Sequence, residues 1–98
     1  VWANYNDYAK AIGLLQRSYD IYKQLGDEEG MASIQTLLGT IMQSWGKYER
    51  ARYFYSTAYI YYHKKHDLFN EANDLLHLGD IEILEQNYLK ALKNYKKA

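Results

Sequence analysis

The sequence contains no cysteine and no proline among its 98 residues, and neither sign of charge is in excess. Without cysteine there is no disulfide framework, thiolate zinc site or cysteine nucleophile, and a small domain without such staples is expected in the cytoplasm. Twelve Lys and Arg against twelve Asp and Glu give no net positive field of the kind that favours nucleic acid. No apolar run approaches the roughly 20 residues of a membrane span, and no signal-peptide pattern opens the chain.

What the sequence does contain is 12 tyrosines and a hydrophobic fraction of 48%, enough for one folded domain. The absence of proline favours long uninterrupted helices. When the sequence is shifted against itself by 40 residues, many positions match in a single register. The matching sets are Tyr8, Tyr48 and Tyr88; Ala11, Ala51 and Ala91; Leu38-Gly39 and Leu78-Gly79; Asp27 and Asp67; and Tyr55-x-x-Ala58 and Tyr95-x-x-Ala98. This agreement predicts a repeat array.

Each repeat is expected to form two amphipathic helices, because apolar residues recur at spacings of three and four. Asp27 and Asp67 are predicted to be N-caps, and Gly26 and Gly46 are predicted to end helices. The pattern predicts helices over 7–25, 27–45, 47–65, 67–86 and 88–98.

Two glycines, Gly39 and Gly79, fall inside these helical patterns, where glycine costs about 1 kcal/mol relative to alanine. Close packing of their helices against partner helices at Ala51 and Ala91 would offset that cost. Replacing either glycine with Leu is therefore expected to destabilise the fold.

These positions resemble the tetratricopeptide repeat (TPR) family, whose helix-turn-helix unit carries Leu-Gly and Tyr, then Ala, an aromatic residue and Ala. The first repeat departs from the pattern, with Leu15 and Ser18 at the aromatic and last alanine positions, and Glu82 stands where an aromatic residue is usual. The 40-residue period is similar to the long repeats of Pins-like adaptors, kinesin light chains and bacterial peptide-pheromone receptors.

The resemblance implies an all-α fold, a right-handed α-solenoid of antiparallel helix pairs with about two and a half repeats. Residues 1–98 would be a single array, comprising a partial first repeat over 1–26, a second over 27–66 and a truncated third over 67–98. The chain begins and stops inside helical patterns, so it is expected to be a fragment whose exposed apolar ends promote self-association.

The resemblance also implies a non-catalytic scaffold without a cofactor, which binds a peptide or protein segment in a concave groove. The positions that match TPR groove positions are Ser33, Thr36, Leu37, Thr40, Gln43, Asn73, Leu76, His77, Asp80 and Ile83. No Lys or Arg occurs among them, which argues against capture of a C-terminal carboxylate by basic residues.

Charge is segregated along the chain. The segments 27–45 and 67–86 hold nine acids and no Lys or Arg, whereas the other segments hold all twelve bases and three acids. Some of these residues complement helix dipoles, but Asp74, Asp80, Glu82 and Glu85 lie outside first turns. If the first helix of each repeat lines the groove, the sequence predicts an acidic groove, a basic back and a basic partner segment with apolar anchors.

Other kinds of site are less well supported. His63, His66 and Asp67 could chelate a metal, but no second ligand pair lies nearby in sequence. His77 and Asp80 could form a base with its orienting acid, but no nucleophile accompanies them. Two alternative functions stay open: a regulatory, peptide-sensing arm of a transcription regulator or phosphatase, and RNA binding on the basic back.

Overall fold

The computed structural model describes the backbone of residues 5–97 and the side chains of residues 6–93. This part of the chain forms four α-helices and no strand: α1 (Tyr5–Leu25), α2 (Glu28–Ser44), α3 (Tyr48–Lys64) and α4 (Leu68–Lys97). Each helix packs against the next one in sequence, as expected for an all-α array of helix pairs. None of the helices within residues 5–97 is both long enough and apolar enough to cross a membrane.

The helices end at positions spaced 20 residues apart. Gly26, Gly46 and His66 adopt positive φ values of 73°, 81° and 60°, and each ends the helix before it. The residue after each of them donates its backbone N–H to a carbonyl five residues back, for example Lys47 to Met42 at 2.8 Å. This pattern is the Schellman motif, which satisfies the last carbonyls of a helix. The predicted ends at Gly26 and Gly46 are confirmed.

The starts of α2 and α4 are fixed by aspartates, as the sequence predicts. The Asp27 carboxylate accepts the backbone N–H of Gly30 at 2.9 Å. The Asp67 carboxylate accepts both the backbone N–H and the side-chain amide of Asn70, at 3.3 and 2.8 Å. Each cap satisfies donors that the first helical turn leaves without a backbone partner.

The core lies between α2, α3 and α4, where Leu38, Gly39, Ala51, Tyr55 and Ala58 of the repeat signature are buried. One cluster consists of Met42, Ala51, Tyr55 and Ile81, with Ile12, Trp45, Tyr48, Phe54 and Leu78 packed around it. A second consists of Ala32, Ala58 and Tyr62. Leu38 is also buried, and Tyr8 packs its ring on Trp45. The stripes that the sequence assigns to the core therefore form it in α2 and α3.

Gly39 allows a close approach between α2 and α3, but its neighbour is not Ala51. A methyl group at Gly39 would come within 2.8 Å of Cε1 of the Tyr55 ring, which is completely buried. The glycine therefore makes room for a flat aromatic ring from the partner helix. The sequence located the close contact correctly and assigned it to the wrong partner residue.

Residues 88–97 differ from the prediction. Instead of turning into a second helix, they continue α4, which spans 30 residues and is about 45 Å long. The position that corresponds to Gly46 is Gln86, and nothing there favours a left-handed residue. As a result Tyr88 and Ala91 are exposed, whereas their counterparts Tyr48 and Ala51 are half-buried and buried.

The same difference explains Gly79. No atom lies within 4 Å of the position that a methyl group would take there, so the prediction of overpacking at Gly79 is wrong. The signature residues Tyr95 and Ala98 have no described side chain, and their predicted role stays a prediction.

Candidate functional site

A line of polar side chains along α2 forms hydrogen bonds with side chains of α3 and α4. Ser33 bonds the Tyr62 hydroxyl at 3.2 Å, and Thr40 bonds the Tyr55 hydroxyl at 3.0 Å. The Tyr55 hydroxyl in turn donates to the side-chain carbonyl of Gln43 at 3.0 Å. Thr36 donates its hydroxyl to the Asp74 carboxylate of α4. Hydrogen bonds to α3 and α4 therefore hold four predicted groove residues in place: Ser33, Thr36, Thr40 and Gln43. We call these bonds the groove floor.

Asp74 of α4 is buried in this floor. Its Oδ1 accepts a hydrogen bond from the Thr36 hydroxyl at 3.0 Å, and its Oδ2 is buried without a hydrogen-bond partner. Burial raises the pKa of Asp74 to about 6, although the Thr36 bond and the charge of His77 act in the opposite direction. Asp74 therefore does not supply the acidic groove that the sequence predicts with a charge that a partner could reach, because its carboxylate is buried.

His77 and Asp80 lie beside Tyr55. The His77 ring stacks on the Tyr55 ring with 4.6 Å between centroids and 2° between planes. Burial raises the pKa of Tyr55, the Thr40 bond opposes this, and the charges of Asp74 and Asp80 add to the rise. Asp80 itself is exposed, which leaves its carboxylate open to a ligand.

Apolar groove positions stand at the surface around this floor. Leu37, Leu76 and Ile83 expose 49%, 64% and 61% of their surface, and Asn73 is half-buried. Such exposed apolar side chains next to a fixed polar floor suit the binding of another apolar surface. The assignment of the ten residues to one groove stays a prediction.

An apolar pocket of about 360 Å³ adjoins the groove between α1 and α2. The sequence did not predict this pocket, because the predicted groove residues lie only on α2 and α4, whereas half of the pocket lining comes from α1. It is lined by Ala11, Leu14, Leu15, Leu37, Thr40 and Ile41. The sequence also missed the part that Tyr55 and Tyr62 play in the floor, since their stripe indicates a core position and gives no sign of where the hydroxyl points.

Three of the five acids on α4 pair with residues of α3. Glu82 and Glu85 pair with Arg52 of α3, the first at 3.7 Å, and Glu71 pairs with His63 at 3.0 Å. Of the four acids that helix dipoles do not explain, Asp80 alone is exposed and outside the ion pairs of the described residues. The negative charge available to a ligand in the groove is therefore concentrated at Asp80.

The pair His63–Glu71 also bears on the metal alternative. The Nδ1 atom of His63 bonds the Glu71 carboxylate, and the His63 ring stacks on Tyr59 at 5.6 Å. Among the residues described, no three His, Asp or Glu side chains are grouped so that they could hold a metal ion.

Helices that each pack against the next one, with turns spaced 20 residues apart, define a helical-repeat protein. The Tetratricopeptide repeat family model matches residues 6–59, which is more than half of the chain. The chain therefore belongs to the tetratricopeptide repeat family, whose members are generally non-catalytic protein-interaction domains. No curated protein and no solved structure matches the chain.

Proposed function

We propose that this chain is a non-catalytic scaffold that binds a segment of a partner protein in the groove between α2 and α4. The observation that carries the proposal is the groove floor, in which side chains of α2, α3 and α4 are already hydrogen-bonded to one another. A floor that is ordered before binding reduces the conformational entropy that a partner must offset.

The side chains around the floor support a particular chemistry for the partner segment. Leu37, Leu76 and Ile83 would contact apolar side chains and provide most of the affinity through buried area. Asp80 would pair with a Lys or Arg of the segment and fix its register. Because Asp80 is exposed, the pair contributes only about 0–1 kcal/mol and weakens with salt.

The test is a peptide array with matched basic and acidic versions of apolar segments, probed at low and high salt. Basic versions should bind better at low salt, and Asp80→Lys should remove that preference. The control is Asp20→Lys, which makes the same change of charge on the exposed surface of α1 and should keep the preference. Better binding of acidic peptides, or equal effects of the two variants, would exclude Asp80 as the pairing residue.

Four further expectations from the sequence stay predictions. They are the cytoplasmic location, the long-period subtype, the division of the chain into repeats, and the regulatory-arm alternative. RNA binding has a direct test, since contacts with phosphates give an affinity that falls steeply with salt. Oligonucleotide binding of that kind would place the functional surface on α1 and α3 instead of the groove.

A further inference from the structure

The first of two open apolar faces lies on α4. Ala72, Leu75, Gly79 and Ile83 lie 40 residues after Ala32, Gln35, Gly39 and Gln43 of α2. On α2 this side meets α3, since Gly39 lies against the Tyr55 ring and Ala32 is buried with Ala58 and Tyr62. On α4 the same side is empty: Leu75 and Ile83 are 49% and 61% exposed, and no atom lies near Gly79.

The second open face lies on α1. Ala11, Leu14 and Leu15 lie 40 residues before Ala51, Phe54 and Tyr55, which pack toward α2 in the core. On α1 these three residues line the 360 Å³ pocket together with Leu37, Thr40 and Ile41 of α2, and Leu14 is 64% exposed. The face that α3 uses to pair with α2 is thus present on α1 without a partner helix among the described residues.

The open face of α4 corresponds to the side of α2 that contacts α3, and the open face of α1 corresponds to the side of α3 that contacts α2. We propose that copies of this chain stack head to tail, with α4 of one copy packed on α1 and the pocket of the next copy. The contact between α2 and α3 is the template for this interface. In its register Gly79 lies opposite Leu15 of the next copy, as Gly39 lies opposite Tyr55, and Ile83 lies opposite Ala11.

Shape favours another copy as the occupant, because α1 carries the residues that correspond to the α3 side of the α2–α3 contact. The absence of a side chain at Gly79 leaves space for Leu15 of the next copy. The exposed apolar side chains of α4 would lie against the apolar pocket of that copy. In this register the part of α4 after about residue 89 passes beyond Tyr5, the first described residue of α1, and leaves the face free.

Because the interface joins two different faces, it is heterologous and does not close at the dimer. Sedimentation equilibrium of the wild-type chain from roughly 10 μM to 1 mM, where interfaces of modest size dissociate, should show species that grow beyond the dimer as concentration rises. A chain that stays monomeric throughout, or that stops at the dimer, overturns the proposal.

Single-face variants test which surfaces are used. Gly79→Leu fills the space for Leu15 and should weaken association by about 10-fold or more through overpacking. The matched control is Gly13→Leu on α1, where a methyl group also meets nothing within 4 Å. It makes the same change in helix propensity and should associate like the wild type. Equal behaviour of the two variants would overturn the assignment of the α4 face.

A mixing experiment gives the sharpest outcome. Leu14→Glu places an acid on the exposed apolar part of the α1 face, where stacking would bury it without a partner, so it should also weaken association. Gly79→Leu retains a working α1 face and Leu14→Glu retains a working α4 face, so their mixture should form a complex of one copy of each. Circular dichroism of each variant confirms that it is folded. Failure of folded variants to form this one-to-one complex would contradict head-to-tail stacking.

Discussion

At the scale of single residues, Asp74 is expected to control the pH dependence of stability. Burial raises its pKa in the folded state to about 6 from 3.8, so the folded state binds the proton more tightly than the unfolded state. The protonated Asp74 carboxyl therefore makes its full contribution to stability below the unfolded-state pKa of 3.8. This contribution is lost as the pH rises through the folded-state pKa of about 6. Asp74→Asn cannot ionise, and should raise the free energy of unfolding at neutral pH by about 1–3 kcal/mol.

The measurement is urea unfolding of both proteins between about pH 4 and pH 7, the window set by the two pKa values. The wild type should lose stability relative to Asp74→Asn across this window. Asp80→Asn removes an exposed carboxylate of the same helix and should change little. An Asp74→Asn protein that is less stable than the wild type at neutral pH would show that the ionised carboxylate is well satisfied.

Gly39 and Gly79 occupy the same place in the repeat but should respond oppositely to substitution. Gly39→Leu must displace the buried Tyr55 ring and should destabilise by about 1–3 kcal/mol. Gly79→Leu meets open space and should stabilise by up to about 1 kcal/mol through helix propensity. Thermal melts at low protein concentration, where association does not contribute, compare the two. Destabilisation of both would mean that residues 88–97 do fold back onto α4.

At the scale of elements, the turns that recur every 20 residues predict that His66 can be replaced by glycine with a gain in stability. It adopts a φ of 60° at the position that glycine occupies in the two preceding turns. A left-handed conformation is costly for a residue with a Cβ atom, so His66→Gly should stabilise by about 0.5–1 kcal/mol. Lys65→Gly is the control, since Lys65 has a right-handed φ of −87° and glycine there should only destabilise. Chemical denaturation of the two variants measures both effects.

The sequence predicts the first three helices to within about three residues, because their ends depend on local chemistry. Gly26 and Gly46 permit the left-handed turns, and the Asp27 side chain caps α2. The sequence fails at Gln86, because repeat similarity at Tyr88 and Ala91 suggested a turn that the local residues do not favour. A repeat register predicts which positions correspond to each other. A helix, however, ends only where the local residues favour a turn.

At the scale of the whole molecule, local stability should follow the number of packed neighbours. Helices α2 and α3 each contact two helices, whereas residues 88–93 of α4 are all exposed. Native-state hydrogen exchange should therefore show the highest protection in α2 and α3, and the lowest in residues 89–97. Protection in this last segment that equals that of α3 would mean that it packs against another surface.

The candidate site was predictable only in part from the sequence. The resemblance to the tetratricopeptide repeat assigned residues such as Thr36, Thr40 and Asp80 to a groove, and the structure shows Thr36 and Thr40 hydrogen-bonded to neighbouring helices and Asp80 exposed. The electrostatics could not be read in this way, since burial of Asp74 and the pairing of Glu82 with Arg52 depend on how α3 sits between α2 and α4. Segregation of charge along a sequence does not determine which charges solvent can reach.

The contact between α1 and the end of α2 has one more consequence, for optical measurements. The Tyr8 ring stacks on the Trp45 indole with 5.3 Å between centroids, and the Tyr8 hydroxyl donates to the Ser44 carbonyl at 3.0 Å. Detachment of α1 would remove that ring and expose the half-buried indole to water. Because the chain has two tryptophans, Trp2→Phe leaves Trp45 as the sole indole. Its fluorescence would then report the docking of α1 directly, without an added dye.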